Sequence, residues 1–157
     1  MDSSVNDVLD DVESDLVAGR WRLRAPASLA TPRRVRAELR RWLVALRWPE
    51  EEAADIVLAV DEAVSNAVEH AFPPGAPDGT VEVVAEVEPV DRQRRLRVRI
   101  RDTGRWLPRP GPEEDVNRRR GLPMMSVLMA EVLIHRGGPA PSDGTVVTLL
   151  SPPVPTL

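Results

Sequence analysis

The chain has 157 residues, 42% hydrophobic and 29% charged, with a formal net charge of −4, which suits one globular domain rather than a general nucleic-acid binder. It has no cysteine, so disulfides, thiolate metal sites and a cysteine nucleophile are excluded. All 21 basic residues are arginine, which removes the phosphate-binding lysine that Walker A loops and eukaryotic-type protein kinases require.

Residues 1–18 hold six acids and no base. They are expected to form a mobile acidic tail, or a short helix that orders on a partner, outside a single domain spanning 19–157. The amino terminus is acidic rather than signal-like. No apolar run approaches the ~20 residues of a membrane span, so a cytoplasmic protein that does not enter membranes is expected.

"WRLRAP" alternates apolar and basic residues as a short edge strand would. "TPRRVRAELRRWLVALRW" reads as a helix with Thr31 as N-cap and Pro32 at its first position. Val35, Leu39, Trp42, Leu43 and Leu46 give it one buried face. Pro49 opens a second helix whose Glu50, Glu51 and Glu52 suit the positive end of the dipole, and which runs to about Phe72. "TVEVVAEVE" and "RRLRVRIRD" are alternating strands joined through "PVDRQ". "LPRPGPEEDVNRRR" reads as irregular, "GLPMMSVLMAEV" as helical, and "LIHRG" and "GTVVTLLS" as closing strands. This order predicts an α+β fold: a two-layer sandwich with a mixed, largely antiparallel sheet and helices on one face.

Four stretches carry polar residues that the core does not need. On the second helix, Ile56, Val57, Val60, Ala63, Val64 and Ala67 form the apolar face, while Glu62, Asn66, Glu69 and His70 share one edge. An asparagine oxygen is a hard neutral ligand suited to Mg²⁺, and Glu62 is placed one turn earlier to deprotonate a hydroxyl. A solvated helix edge accounts for the same residues. Asp102 ends a strand before Thr103-Gly104; a carboxylate there can accept a hydrogen bond from an adenine amino group, although D-x-G is also an ordinary turn. "RRRGLP" places Gly121 before a helix, where free backbone N–H groups can receive phosphate. Arg118, Arg119 and Arg120 could add charge-assisted contacts there. Thr145, at the head of "TVVTLL", could reach phosphate or simply pack. His70 and His135 are isolated and make no metal-ligand spacing.

Taken together, in this order, "DEAVSNAVEHA", "DTGRW", "RRGLPMM" and "GTVVTL" resemble the N-box, the two glycine boxes and the closing strand of the GHKL, or Bergerat-fold, ATPases. The closest resemblance is to RsbW-type anti-sigma-factor serine kinases. The resemblance implies an ATP pocket under a mobile lid, here Leu107 to Arg120. It implies Asn66 as Mg²⁺ ligand, Glu62 as catalytic base, Asp102 as adenine reader, and Gly104 admitting the base. Arg120, Gly121 and Leu122 would face the nucleotide, with Thr145 supporting its adenine end. The cofactors would be ATP and Mg²⁺. Members of the family act in transcriptional stress responses: they sequester a sigma factor and phosphorylate a serine on an anti-anti-sigma (STAS-domain) protein, and many are homodimers. One departure stands out. The family's second glycine box reads G-R-G-L, whereas this chain has Arg119-Arg120-Gly121-Leu122, and a side chain replaces the first glycine. That leaves two readings, a serine kinase or a non-catalytic module that holds a partner. A nucleic-acid binder built on the arginine-rich strand is a third.

Overall fold

The computed structural model describes residues 19–70, 79–103, 123–136 and 144–157, with the backbone alone at 13–17 and no side-chain detail at His70 and Arg136. Among the described residues, seven strands and three helices follow in the order β1 (Glu13–Val17), β2 (Arg20–Pro26), α1 (Thr31–Ala45), α2 (Glu50–His70), β3 (Thr80–Val90), β4 (Gln93–Asp102), α3 (residues 123–128), β5 (Glu131–Arg136), β6 (Thr145–Leu150) and β7 (Val154–Pro155). The sheet order is β1-β2-β3-β4-β6-β5, with β7 pairing the start of β4. Every pairing among the described residues is antiparallel. The architecture is the expected α+β sandwich, and α2 lies against β3, β4 and β6.

The helices form where the apolar spacing placed them. Val35, Leu39, Trp42 and Leu43 of α1 are buried, as are Ile56, Val57, Val60, Ala63, Val64 and Ala67 of α2. Only three residues separate Leu46, the C-cap of α1, from Glu50, which begins α2, so the two pack as an antiparallel hairpin. The Pro49 carbonyl accepts the first α2 bond from Ala53, at 2.8 Å. Trp42 of α1 stacks on Trp21 of β2 with centroids 6.4 Å apart, which joins helix layer to sheet beyond simple area burial by roughly 1 kcal/mol.

Four local expectations change. The acidic segment contributes β1 through its residues Glu13–Val17, so β2 lies inside the sheet rather than at its edge. Thr31 is not the N-cap of α1: Ala30 holds that position without a side-chain bond, and the Thr31 hydroxyl donates to the Pro26 carbonyl instead. The helical pattern after residue 122 ends at residue 128, because Glu131 and Val132 pair with Leu150 and Leu149 as part of β5. Pro-rich "SPPVPTL" supplies β7, whose two residues sit opposite Gln93 and Arg94.

Candidate nucleotide site

Strand alternation sorts the sheet into two faces. On the inner face of β4, Leu96, Val98 and Ile100 are buried against the helices, and Asp102 continues that series at 3% exposure. A carboxylate is costly to remove from water, so a buried one at the end of an apolar series marks a position with a purpose beyond packing. Asp102 pairs with Val81 of β3 and with Thr145 of β6. Thr145 is likewise on the inner face, at 2% exposure.

The end of β4 is fixed from both sides. Thr80 N–H donates to Thr103 Oγ1 and Thr103 N–H donates to the Thr80 carbonyl, each at 3.2 Å. On the other side, Gly144 has φ +44°, and a Cβ at that position would lie 1.7 Å from the Asp102 carbonyl oxygen. No side chain fits there. The sequence reading singled out Thr145 and missed Gly144; the signal was a glycine placed directly before a buried strand.

Connectivity brings the polar edge of α2 to this same end. Thr31 is tied to Pro26, Ala27 N–H donates to the Gly79 carbonyl at 2.8 Å, and Pro26 pairs with Thr80; the start of α1 therefore sits where β3 begins and β4 ends. Arg36, one and a half turns into α1, donates to Asp61 of α2 at 2.9 Å. Because the helices are antiparallel, Asn66 lies farther toward that end than Asp61, by about 7 Å at 1.5 Å per residue. Glu62 and Asn66 are both half-buried on that edge, one turn apart.

The proton affinity of Glu62 is raised, first by burial, then by the neighbouring carboxylates of Asp61 and Glu69. Each of these disfavours the ionised form, and the shift moves the group toward the range in which a carboxylate works as a base near neutral pH. Asp61 was not singled out from the sequence, nor was Arg36, which holds it. Among the described residues the candidate site residues are therefore Glu62 and Asn66 on the α2 edge, and Asp102, Gly144 and Thr145 where β4 meets β6. Gly104, Arg119, Arg120, Gly121, Leu122 and the Leu107–Arg120 lid lie outside the described residues. His135 is exposed on β5, and among the described residues no three His, Asp or Glu side chains cluster as a metal site. No helix among the described residues is long and apolar enough to cross a membrane.

Comparison with known proteins agrees with this fold. A family model described as "Histidine kinase-like ATPase domain" matches residues 25–150. Among solved structures, the RsbU and RsbW domains of Rv1364c from Mycobacterium tuberculosis match with a TM-score of 0.65 and 30% sequence identity. That match covers 87% of this chain and 33% of the other, so the chain spans about a third of the protein it matches.

Proposed function

This chain belongs to the histidine kinase-like ATPase domain family, of the GHKL and RsbW type, and from that premise we propose that it is an ATP-binding anti-sigma regulator that phosphorylates a serine on a STAS-domain anti-anti-sigma partner in the cytoplasm. The observation that carries the reading is Asp102, a carboxylate at 3% exposure, paired with Thr145 at the end of the sandwich toward which the Glu62–Asn66 edge runs.

The donor set fits a magnesium nucleotide. Asp102, at 3% exposure, offers a desolvated carboxylate oxygen that can accept from an exocyclic amino group. Asn66 offers one neutral oxygen to Mg²⁺, whose other ligands would come from phosphates and water. When bound, Mg·ATP supplies the transferable phosphoryl group. Glu62 takes the proton from the partner's serine hydroxyl, a role its raised proton affinity supports. Thr145 and Gly144 hold the Asp102 end of the site in register.

A second reading keeps ATP binding but removes the chemistry, leaving a module that sequesters its partner. Arg119 favours it, because an arginine stands where the family's second glycine box has a glycine. Phosphotransfer from labelled ATP to a STAS-domain protein separates the two. In the kinase reading, Glu62→Ala lowers transfer by a factor of about 10²–10⁴ while co-purification with the partner is retained. Transfer by the variant at the wild-type rate removes Glu62 from the role of base, and no transfer by the wild type favours sequestration.

A further inference from the structure

The outer face of the sheet is the charged counterpart of the buried one. By strand alternation, β2 places Arg20, Arg22 and Arg24 there, β3 places Glu82, Val84, Glu86 and Glu88, and β4 places Arg95, Arg97, Arg99 and Arg101. Seven arginines thus meet three glutamates, in a chain whose net charge is −4. At one margin the register sets Glu13 and Asp15 of β1 beside Arg24 and Arg22. At the other, β6 continues the face with Val146, Thr148 and Leu150, and β5 with His135, Leu133 and Glu131. The arginine row of β4 therefore borders an uncharged strand.

The glutamates are spent mainly on other arginines. Glu82 pairs with Arg22 at 2.6 Å, Glu86 with Arg20 at 3.4 Å, and Glu88 with Arg95 at 3.0 Å and Arg97 at 2.6 Å. Arg99, half-exposed, reaches Glu86 only at 3.8 Å, a pair too long and too wet to neutralise it. Arg101 is exposed and makes no ion pair among the described residues. These two cations lie two residues apart on one strand, about 6.8 Å. An extended peptide repeats its same-side residues at that interval, and each guanidinium is a fork suited to one carboxylate.

We propose that the outer face docks an extended segment of a partner protein with acids at alternate positions, lying along β4 with its carboxylates on Arg99 and Arg101. A nucleic acid fits less well, because the uncommitted arginines are few and no aromatic side chain lies on this face among the described residues for a base to stack on. The surface is on the side of the sheet away from α2, so docking there needs no nucleotide.

Fluorescence anisotropy of the full-length protein, read without ATP, tests this with two labelled peptides of equal charge. One alternates glutamate and serine; the other has the same composition with its glutamates in adjacent pairs. The alternating peptide should bind about fivefold tighter, and its binding should vanish in 1 M salt, where screening shortens to about 3 Å. Arg99→Gln/Arg101→Gln should weaken it about tenfold. Arg33→Gln/Arg40→Gln, at two exposed arginines of α1, should leave it unchanged, with thermal melts showing that both variants fold. No binding of the alternating peptide, equal affinity for the two spacings, or equal loss in the two variants overturns the proposal. So does tighter binding of a thymidine oligonucleotide that depends on Arg99 and Arg101, which would assign the face to nucleic acid.

Discussion

The two ends of the sandwich use similar side chains for opposite ends. Where α1 finishes, Arg94 lies over the Trp48 ring with its guanidinium carbon 4.6 Å from the centroid. It donates to the carbonyls of Leu46 at 2.9 Å and Arg47 at 3.1 Å, meeting helix-terminal acceptors that the helix itself cannot satisfy. Nearby, Ser151 Oγ accepts the Leu96 N–H at 2.8 Å. Polar groups at this end close the structure. At the other end, Asp102 is buried at the limit of an apolar strand and Glu62 is held at raised proton affinity among like charges. Neither arrangement is what stability alone would select. The difference teaches that burial of polar residues locates a working site only when it is read beside the polar groups that are used up in capping and turns.

Breaking each end should give different losses. Gly144→Ala attacks the site end most severely, because the new Cβ must move the Asp102 backbone and the positive φ disfavours alanine. It should cost roughly 3 kcal/mol, a fall of about 10 °C in Tm, and take nucleotide binding with it. Thermal melts beside ATP titrations check this; full stability in the variant would show that the loop relaxes freely. Arg94→Ala should cost about 2 kcal/mol through lost capping and cation–π contacts and leave ATP affinity unchanged. A denaturant melt and the same titration read it, and a large loss of affinity would mean the ends are coupled.

The smallest effect is a pH slope. The folded Glu62 holds its proton to higher pH than the unfolded chain does. Between the ordinary glutamate value and the raised folded one, the folded state binds more protons, so wild-type stability falls as pH rises through that window. Glu62→Gln removes the slope, and the variant should gain on the wild type above it. Parallel pH–stability curves would contradict the raised affinity.

Much of this was legible from spacing. Period-3.6 patterns gave the buried faces of α1 and α2, because helices buried on one side leave that record in any sequence. The β3–β4 hairpin was legible for the same reason at period two. It turns at Asp91, whose φ of 54° suits aspartate at a tight turn. What spacing could not give was pairing. An acidic stretch such as Glu13–Val17 has little intrinsic strand character and becomes β1 only because β2 offers it an edge. The same holds for Val154–Pro155 against Gln93 and Arg94. For the candidate site, Glu62, Asn66, Asp102 and Thr145 could be picked out as residue types in a recurring order. Gly144 could not, since its importance is a backbone contact with a residue 42 positions earlier.

The proposed function requires α2 and the end of β4 to form one magnesium–nucleotide site. Calorimetric titration of the purified protein with ATP, with and without Mg²⁺, beside Asn66→Ala, tests it most directly. Magnesium should strengthen binding in the wild type, and Asn66→Ala should lose more affinity for Mg·ATP than for metal-free ATP. Equal losses would remove Asn66 from the metal, and no binding at millimolar ATP would contradict the site itself.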